Sequence, residues 1–402
     1  MKELVSYTEA LGRVLDARLN CNVEKILLAQ AVGRTAGQDI VSNDNIPPFD
    51  NSAMDGYAVV SSDASQAPVT LRVVEEIPAG AVPRESVQPG TCSRIMTGAV
   101  IPEGADTVVP VEQTLSDGEL VTIRTVAPKG QHIRRSGADI ARGDVVVGRG
   151  TRITPSTVGI LAAIGAHRVP VVRMPVVAVV ATGDELVEPG EELSPGKIRN
   201  SNGVTLAAQA AAAGAVVLGP FVARDSRESV QEILDDIEAA DIIVFAGGVS
   251  VGEFDFVQEA LEKRGMETIF WRVRQRPGKP LLFGDLKGVP VFGLPGNPVS
   301  ASVCFEMYVR PLIEASVGME PARLSEARLG ETVKKKVDLH YFARGVLKSD
   351  SGDLVVNMAG PQASNIFSTM VRANCIVHLP EDRETIEKGE LVQISPLTWR
   401  SI

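Results

Sequence analysis

Residues 176–185, Val176-Val177-Ala178-Val179-Val180-Ala181-Thr182-Gly183-Asp184-Glu185, are six apolar residues in a row followed by a polar loop that contains glycine. A strand with one wet face alternates apolar and polar side chains. An unbroken Val/Ala run of this length instead reads as a strand covered on both faces, as in a parallel sheet between helices. The following sequence keeps that rhythm. Its pattern predicts a helix near 201–213, a strand over 215–222, a helix over 226–239 and a strand over 241–246. A helix over about 255–264, strands over 269–274, 281–283 and 289–292, and a helix over 298–315 complete the series. Such alternation predicts a mostly parallel, α/β/α sheet domain over 173–317.

Outward from that domain the periodicity changes. Leu4, Tyr7, Leu11, Val14, Leu15 and Leu19 recur at helical spacing, and Thr154-Pro155-Ser156 is a helix start with proline at the first helical position. Residues 1–45 together with 144–172 are read as an N-terminal helical and linking domain. Residues 46–143 carry short β-branched runs such as Val69-Thr70-Leu71-Arg72-Val73-Val74 between Gly, Pro and Asp clusters, an inserted β-rich domain. Candidate strands at 345–347, 354–356, 376–379 and 391–394 make 318–402 a C-terminal β domain. The fold class is therefore α/β plus β-rich modules in a multidomain chain, and 402 residues are too many for one ordinary core.

Composition narrows the function. Forty Lys and Arg against fifty Asp and Glu, a net charge of −10, and 4% aromatic residues remove the electrostatic and stacking basis for non-specific nucleic-acid binding. The four cysteines and four histidines are scattered, so no zinc or iron–sulfur pattern is readable. The first residues mix charged and apolar types without an export leader, which predicts a cytoplasmic protein with reduced thiols. The most membrane-like stretch, 206–223, is broken by Gly214, Gly219 and Pro220, so no membrane partner is expected. Lys334-Lys335-Lys336 reads as a solvated surface run.

In an open parallel sheet, ligands bind beyond the carboxyl ends of the strands. The loops there carry Glu185, Asp225 and Asp255, and they include the glycine-rich run Gly247-Gly248-Val249-Ser250-Val251-Gly252. Each acid has a structural alternative. Asp225 can form a capping box with Glu228 at N3, and Glu185 and Asp255 can be first-turn acids favoured by a helix dipole. Their convergence on one edge points to a magnesium site with oxygen ligands. The glycine run can cradle an anion through backbone N–H groups. It lacks the Gly-Lys-Ser ending of nucleotide-binding loops and the spacing of dinucleotide-binding loops, so neither an ATPase nor a dehydrogenase is supported. Arg272, Arg274, Arg276 and Lys279 surround Pro277-Gly278, and guanidinium groups suit phosphate or another tetrahedral oxyanion.

Four strings then carry a resemblance that spans nearly the whole chain: Pro47-Pro48-Phe49-Asp50-Asn51-Ser52-Ala53-Met54-Asp55-Gly56-Tyr57-Ala58, Arg94-Ile95-Met96-Thr97-Gly98-Ala99, the glycine run above, and Leu294-Pro295-Gly296-Asn297-Pro298-Val299-Ser300-Ala301. Together they resemble the molybdopterin molybdenumtransferase family (MoeA and the gephyrin E domain). The resemblance implies an elongated homodimer with a MogA-like sheet domain and a C-terminal β-barrel-like domain. It implies insertion of molybdate into adenylyl-molybdopterin with release of AMP, the final step of molybdenum cofactor biosynthesis, assisted by Mg2+. The molybdopterin adenylyltransferase is the implied protein partner.

By matching motifs, the family's catalytic positions fall on Asp55, Asp139, Asp225, Asp255 and Lys279. Its cofactor-binding positions fall on Thr97, Glu185, Gly247, Gly248, Ser250, Gly252, Arg272, Arg276, Pro295, Pro298, Ser300, Arg344 and Ser364. The metal ligands are Glu185, Asp225 and Asp255, and Arg344 and Ser364 are implied to act across the dimer. The chain departs from the family in carrying Arg272 and Arg276 where lysines are common. Molybdate and tungstate are too alike in size and charge for the sequence to choose between them. A scaffold that keeps the fold without turnover is the competing class, and retention of all five acids argues against it.

Overall fold

The computed structural model describes residues 4–248, 256–319, 324–350 and 352–397. The chain forms two compact units, one made of residues 1–24, 33–35 and 172–402, the other of 25–32 and 36–171. The first unit is built on a six-stranded sheet in the order Val216–Ala223, Val176–Thr182, Ile242–Ala246, Val289–Leu294, Leu282–Leu286, Glu267–Trp271. The first four strands run parallel, Leu282–Leu286 runs antiparallel to them, and Glu267–Trp271 runs antiparallel to Leu282–Leu286.

The apolar run that begins at Val176 is buried from Val177 onward. Because successive side chains point to opposite faces, Val177 and Val179 enter one core while Ala178 and Val180 enter the other. The helices Ser201–Ala212 and Pro298–Cys304 cover the first face; Arg227–Asp236 and Phe256–Lys263 cover the second. Gln209, the polar residue of the 206–223 stretch, is buried and donates to Ser302 O (3.1 Å) and to Glu306 Oε1 (2.7 Å). Among the described residues no helix is long and apolar enough to cross a membrane.

Two elements differ from the sequence pattern for identifiable reasons. The expected helix over 298–315 is three segments, α over Pro298–Cys304, π over Phe305–Val309 and α over Arg310–Ser316. Pro311 has no N–H and its ring blocks the carbonyl four residues back, so the turn before it widens. The strand expected to run to 274 ends at Trp271, because Arg272 lies in the left-handed region at φ 77°.

In the same unit, His340–Asp350, Asp353–Met358, Ser325–Leu329, Leu391–Pro396 and Cys375–Leu379 close into a five-stranded barrel, since His340–Asp350 also pairs with Cys375–Leu379. The short strand Gln275–Arg276 adds to it in parallel, with Gln275 opposite His340 and Arg276 opposite Tyr341. The N-terminal helix Tyr7–Asp16 is capped by Ser6 and buries Ala10 and Val14 in the core that holds Phe270 and Tyr308. The helix therefore packs with the sheet.

The second unit holds a six-stranded, largely antiparallel sheet in the order Thr107–Pro110, Gly56–Val59, Thr91–Ile95, Val69–Ile77, Leu120–Ile123, Thr114–Asp117. It also holds the helix Pro155–Ala163, whose Thr154 side chain accepts from the Thr157 N–H as the Thr-Pro-Ser string predicts.

Candidate functional site

Beyond the carboxyl ends of the parallel strands lies a cavity of about 610 Å³. Glu185, Asp225, Gly247, Gly248, Pro295 and Pro298 all line it, so loops separated by up to 113 positions share one surface. The Asn202 amide donates to Gly296 O at 2.7 Å and ties the helix start at Ser201 to the Leu294–Pro298 loop. Thr182 also lines the cavity; it is 8% exposed, and among the described residues its Oγ1 has no hydrogen-bond partner. A buried hydroxyl left open at a cavity wall is a group that a polar ligand would satisfy. Gly247 has φ +98°, and a Cβ there would sit 2.8 Å from that hydroxyl, so glycine is required for the loop to pass.

The capping reading of Asp225 is corrected. The cap of helix Arg227–Asp236 is Ser226, whose Oγ accepts from the Ser229 N–H at 3.2 Å, which puts Glu228 at N2. Asp225 instead exchanges main-chain contacts with Asp184: the Asp184 N–H donates to Asp225 Oδ2 and the Asp225 N–H to Asp184 Oδ1, both at 3.3 Å. Asp225 and Glu185 are exposed, and among the described residues neither is in an ion pair. Two carboxylates on one cavity are oxygen donors that suit a hard cation such as Mg2+. The third expected ligand, Asp255, lies outside the described residues, as do Ser250 and Gly252. Among the described residues no group of three or more Asp, Glu, His or Cys forms a metal cluster.

A second cavity, about 380 Å³, opens where the sheet unit meets its barrel. Arg276, Pro277, Lys335, Tyr341, Arg344 and Gln362 line it, and among the described residues no carboxylate is in its walls. Arg344 is 1% exposed and makes no ion pair among the described residues. Its guanidinium donates to Thr369 Oγ1 (3.1 Å) and to the carbonyls of Pro361 (3.1 Å), Gln362 (3.2 Å) and Ala363 (3.0 Å). Burial, and then Arg276 beside it, lower its pKa to about 10. An uncompensated buried cation next to a second cation is costly unless an anion sits there. The next carbonyl in that loop, Ser364 O, accepts from the Val299 N–H at 3.3 Å. Arg276 lies against the Tyr341 ring and donates to its hydroxyl at 3.3 Å.

Three family models match successive stretches of the chain: MoeA N-terminal region (domain I and II) over 5–165, probable molybdopterin binding domain over 178–315, and MoeA C-terminal region (domain IV) over 326–397. Molybdopterin molybdenumtransferase 2 of Mycobacterium tuberculosis is 40% identical over 410 residues, covering 99% of this chain and all of that protein. The chain belongs to the MoeA family. The molybdopterin molybdenumtransferase of Haemophilus influenzae is 39% identical over 93% of both chains. A crystal structure of the molybdopterin biosynthesis MoeA protein from Pyrococcus horikoshii superposes with a TM-score of 0.84 at 30% identity, over 98% of this chain and all of that one.

Set against the MoeA positions read from the motifs, the structure brings some together and not others. Arg276 and Arg344 share a cavity within one chain, because strand pairing places the barrel beside the Arg276 turn. Arg272 and Lys279 front neither cavity. The Arg272 guanidinium lies 4.2 Å above the Trp271 ring, and Lys279 is exposed, while Pro280 beside it lines the sheet-edge cavity. Ser300 is 3% exposed and does not front the sheet-edge cavity: two residues along a helix from Pro298, it points to the other side.

In the other unit Asp55 and Thr97 form a pair, with the Thr97 hydroxyl (2.7 Å) and amide (2.6 Å) both donating to Asp55 Oδ1. Those bonds hold the Asp55 carboxyl below the usual carboxylate range. Asp139 is exposed, and its amide donates to Ile46 O at 2.9 Å.

Sequence reading missed Lys335. Lys334 and Lys336 are exposed, as a solvated run would be, though both also line the cavity of Arg276 and Arg344, whereas Lys335 is 7% exposed. Its ammonium donates to Leu339 O (3.1 Å) and Lys336 O (3.2 Å) and lies over the Tyr341 ring. Burial lowers its pKa. The signal available was the adjoining Val333 and the alternation it starts, with Val333 and Lys335 on one side of the strand.

Proposed function

We propose that the chain is a molybdopterin molybdenumtransferase: it takes adenylyl-molybdopterin and molybdate, inserts the metal into the dithiolene, and releases AMP as the phosphoanhydride is cleaved. One observation carries the reading. The segment 276–280 joins the two cavities, with Arg276 and Pro277 in the wall of the cationic one and Pro280 in the wall of the carboxylate-lined one. A reaction that combines an oxyanion with a pterin phosphate needs an anion-accepting pocket beside a phosphate-binding sheet edge. The glycine turn at Gly247-Gly248 and the Thr182 hydroxyl offer polar contacts to the substrate, while Arg276, Arg344 and Lys335 offset the charge of a dianion.

Mg2+ belongs to the same reading. Glu185 and Asp225 would hold it, with Asp255 as the third ligand; when bound, the ion withdraws charge from the phosphoanhydride oxygens. The carboxylates' own contribution is to stand outside any ion pair among the described residues, with Arg199 the cation that shares the cavity wall. The homodimer, cytoplasmic location and contact with the molybdopterin adenylyltransferase follow from the family resemblance and are proposed on that ground.

The test is purified protein incubated with adenylyl-molybdopterin, Mg2+ and either molybdate or tungstate, following AMP release and reconstitution of a cofactor-free molybdoenzyme. AMP release that requires both the oxyanion and Mg2+ supports the reading. AMP release independent of the oxyanion, or none under any condition from folded protein, sinks it and leaves the scaffold. A mass measurement that finds a fully active monomer removes the homodimer.

A further inference from the structure

We propose that Gln275, Tyr308 and Cys304 are a buried positioning network that sets the Arg276–Lys279 turn and, through it, the affinity for the oxyanion. The inference rests on the reading that this turn faces the oxyanion. All three side chains are essentially inaccessible, at 1%, 0% and 0% exposure. The Tyr308 hydroxyl donates to Gln275 Oε1. Gln275 Nε2 donates to Gly278 O at 3.0 Å and meets Cys304 Sγ at 3.4 Å, and the thiol in turn points at Gly278 O at 3.8 Å. The carbonyl of Gly278 sits at the tip of a loop closed by the Val273 N–H donating to Lys279 O at 3.0 Å. The network therefore grips the turn from beneath, two residues from the Arg276 side chain.

The arrangement has one orientation. Burial keeps both the tyrosine and the Cys304 thiol protonated, the thiol with its pKa raised to about 12, so Tyr308 has a proton to donate, and Gly278 O can only accept. That fixes Oε1 of Gln275 toward Tyr308 and leaves Nε2 to face Gly278 O; a flipped amide would set oxygen against carbonyl oxygen. Gly278 has φ +83°, and a Cβ there would collide with Cys304 Sγ and lie 3.0 Å from Gln275 Nε2. The turn is thus seated directly on the network with no space between. Tyr308 reaches this point from the π segment Phe305–Val309, and such segments commonly accompany functional sites. Packing alone would be met by leucine at 275 and phenylalanine at 308. A fully buried polar chain that ends on a turn carbonyl does something packing does not, which is to hold that carbonyl at a fixed place and so aim Arg276.

The experiment compares Tyr308→Phe, Gln275→Leu, the double variant and Arg276→Gln. Each is read for molybdate half-saturation of AMP release at saturating adenylyl-molybdopterin, half-saturation for adenylyl-molybdopterin, and thermal midpoint. Gln275→Leu should raise the molybdate half-saturation roughly five- to tenfold, the effect of losing one turn-fixing hydrogen bond, with less than about twofold change for adenylyl-molybdopterin. Tyr308→Phe is the milder variant and leaves Gln275 Oε1 unpaired, so it should lower the midpoint. The double variant removes both partners, so its midpoint should recover toward the parent while its molybdate half-saturation stays raised. A half-saturation that recovers along with the midpoint shows a merely structural network and overturns the inference. If Arg276→Gln shifts the molybdate requirement and Gln275→Leu does not, the inference fails and the functional reading stands. If Arg276→Gln itself has no effect, the turn does not face the oxyanion and both fall.

Discussion

Arg344→Lys keeps the charge at the cationic cavity and removes the fork, which makes it the sharpest test of what that residue does. In the structure the guanidinium donates four bonds of 3.0–3.2 Å, three of them to consecutive carbonyls at Pro361, Gln362 and Ala363 and one to Thr369 Oγ1. An ammonium on a shorter stem has three donors pointing from a single atom, so it cannot span both the Thr369 hydroxyl and all three carbonyls. At least two acceptors lose their partner. Each costs about 1–3 kcal/mol if left unpaired, and water entering from the cavity recovers part, so a loss of about 2–4 kcal/mol is expected. The loop should loosen with it, because Ser364 O, the next carbonyl, is bonded to Val299 at the start of the helix Pro298–Cys304. Chemical denaturation measures the stability loss, hydrogen exchange at 362–366 and at the Val299 amide measures the loop, and a molybdate titration of AMP release measures the site. A variant within about 0.5 kcal/mol of the parent, the range of an ordinary surface substitution, with unchanged exchange and molybdate requirement, would refute the assignment.

Two further outcomes follow from the geometry. Asp225→Ala should nearly abolish AMP release with less than about 1 kcal/mol of stability lost, whereas Ser226→Ala should cost about 1 kcal/mol and leave turnover intact, because the helix cap is the serine; equal effects of the two on turnover would return Asp225 to a structural role. Stability should also fall in mild acid. Burial lowers the pKa of His378 to about 3 and, together with Lys335, that of His340 to about 4, while both titrate near 6.5 when unfolded. Between pH 6.5 and about 4 the unfolded chain binds more protons than the native one, so stability declines as pH drops through that window, by about 2–4 kcal/mol for the coupled pair from pH 7 to pH 5. Denaturation curves at the two pH values check this. A flat response in the parent, or the same slope after His378→Gln, would show that the pair is not buried in its neutral form.

The sheet was readable in the chain because its determinants are local. An unbroken Val/Ala run such as 176–181 reads as a strand covered on both faces, and Thr154-Pro155 before an apolar run reads as a helix start, since each signal is complete within a few residues. That Glu185 and Asp225 share a cavity was readable too, because the ends of parallel strands must share an edge. The motif strings added the family without help from coordinates. What the sequence left open was contact between distant residues. Asp225 and Ser226 are neighbours with interchangeable capping chemistry, and only the backbone angles at the helix start chose the serine. Of the cations that the motifs assign to the site, Arg276 and Arg344 meet at one cavity. Arg272 instead rests on its neighbour Trp271, and Lys335, dismissed with its neighbours as solvated, takes a place in the wall. Those outcomes depend on one register, Gln275 opposite His340 and Arg276 opposite Tyr341, which joins residues 65 positions apart. Periodicity tells a side chain which face to seek; which other side chains it finds there is set by strand pairing across the fold, and that is a property of the assembled core rather than of any stretch of sequence.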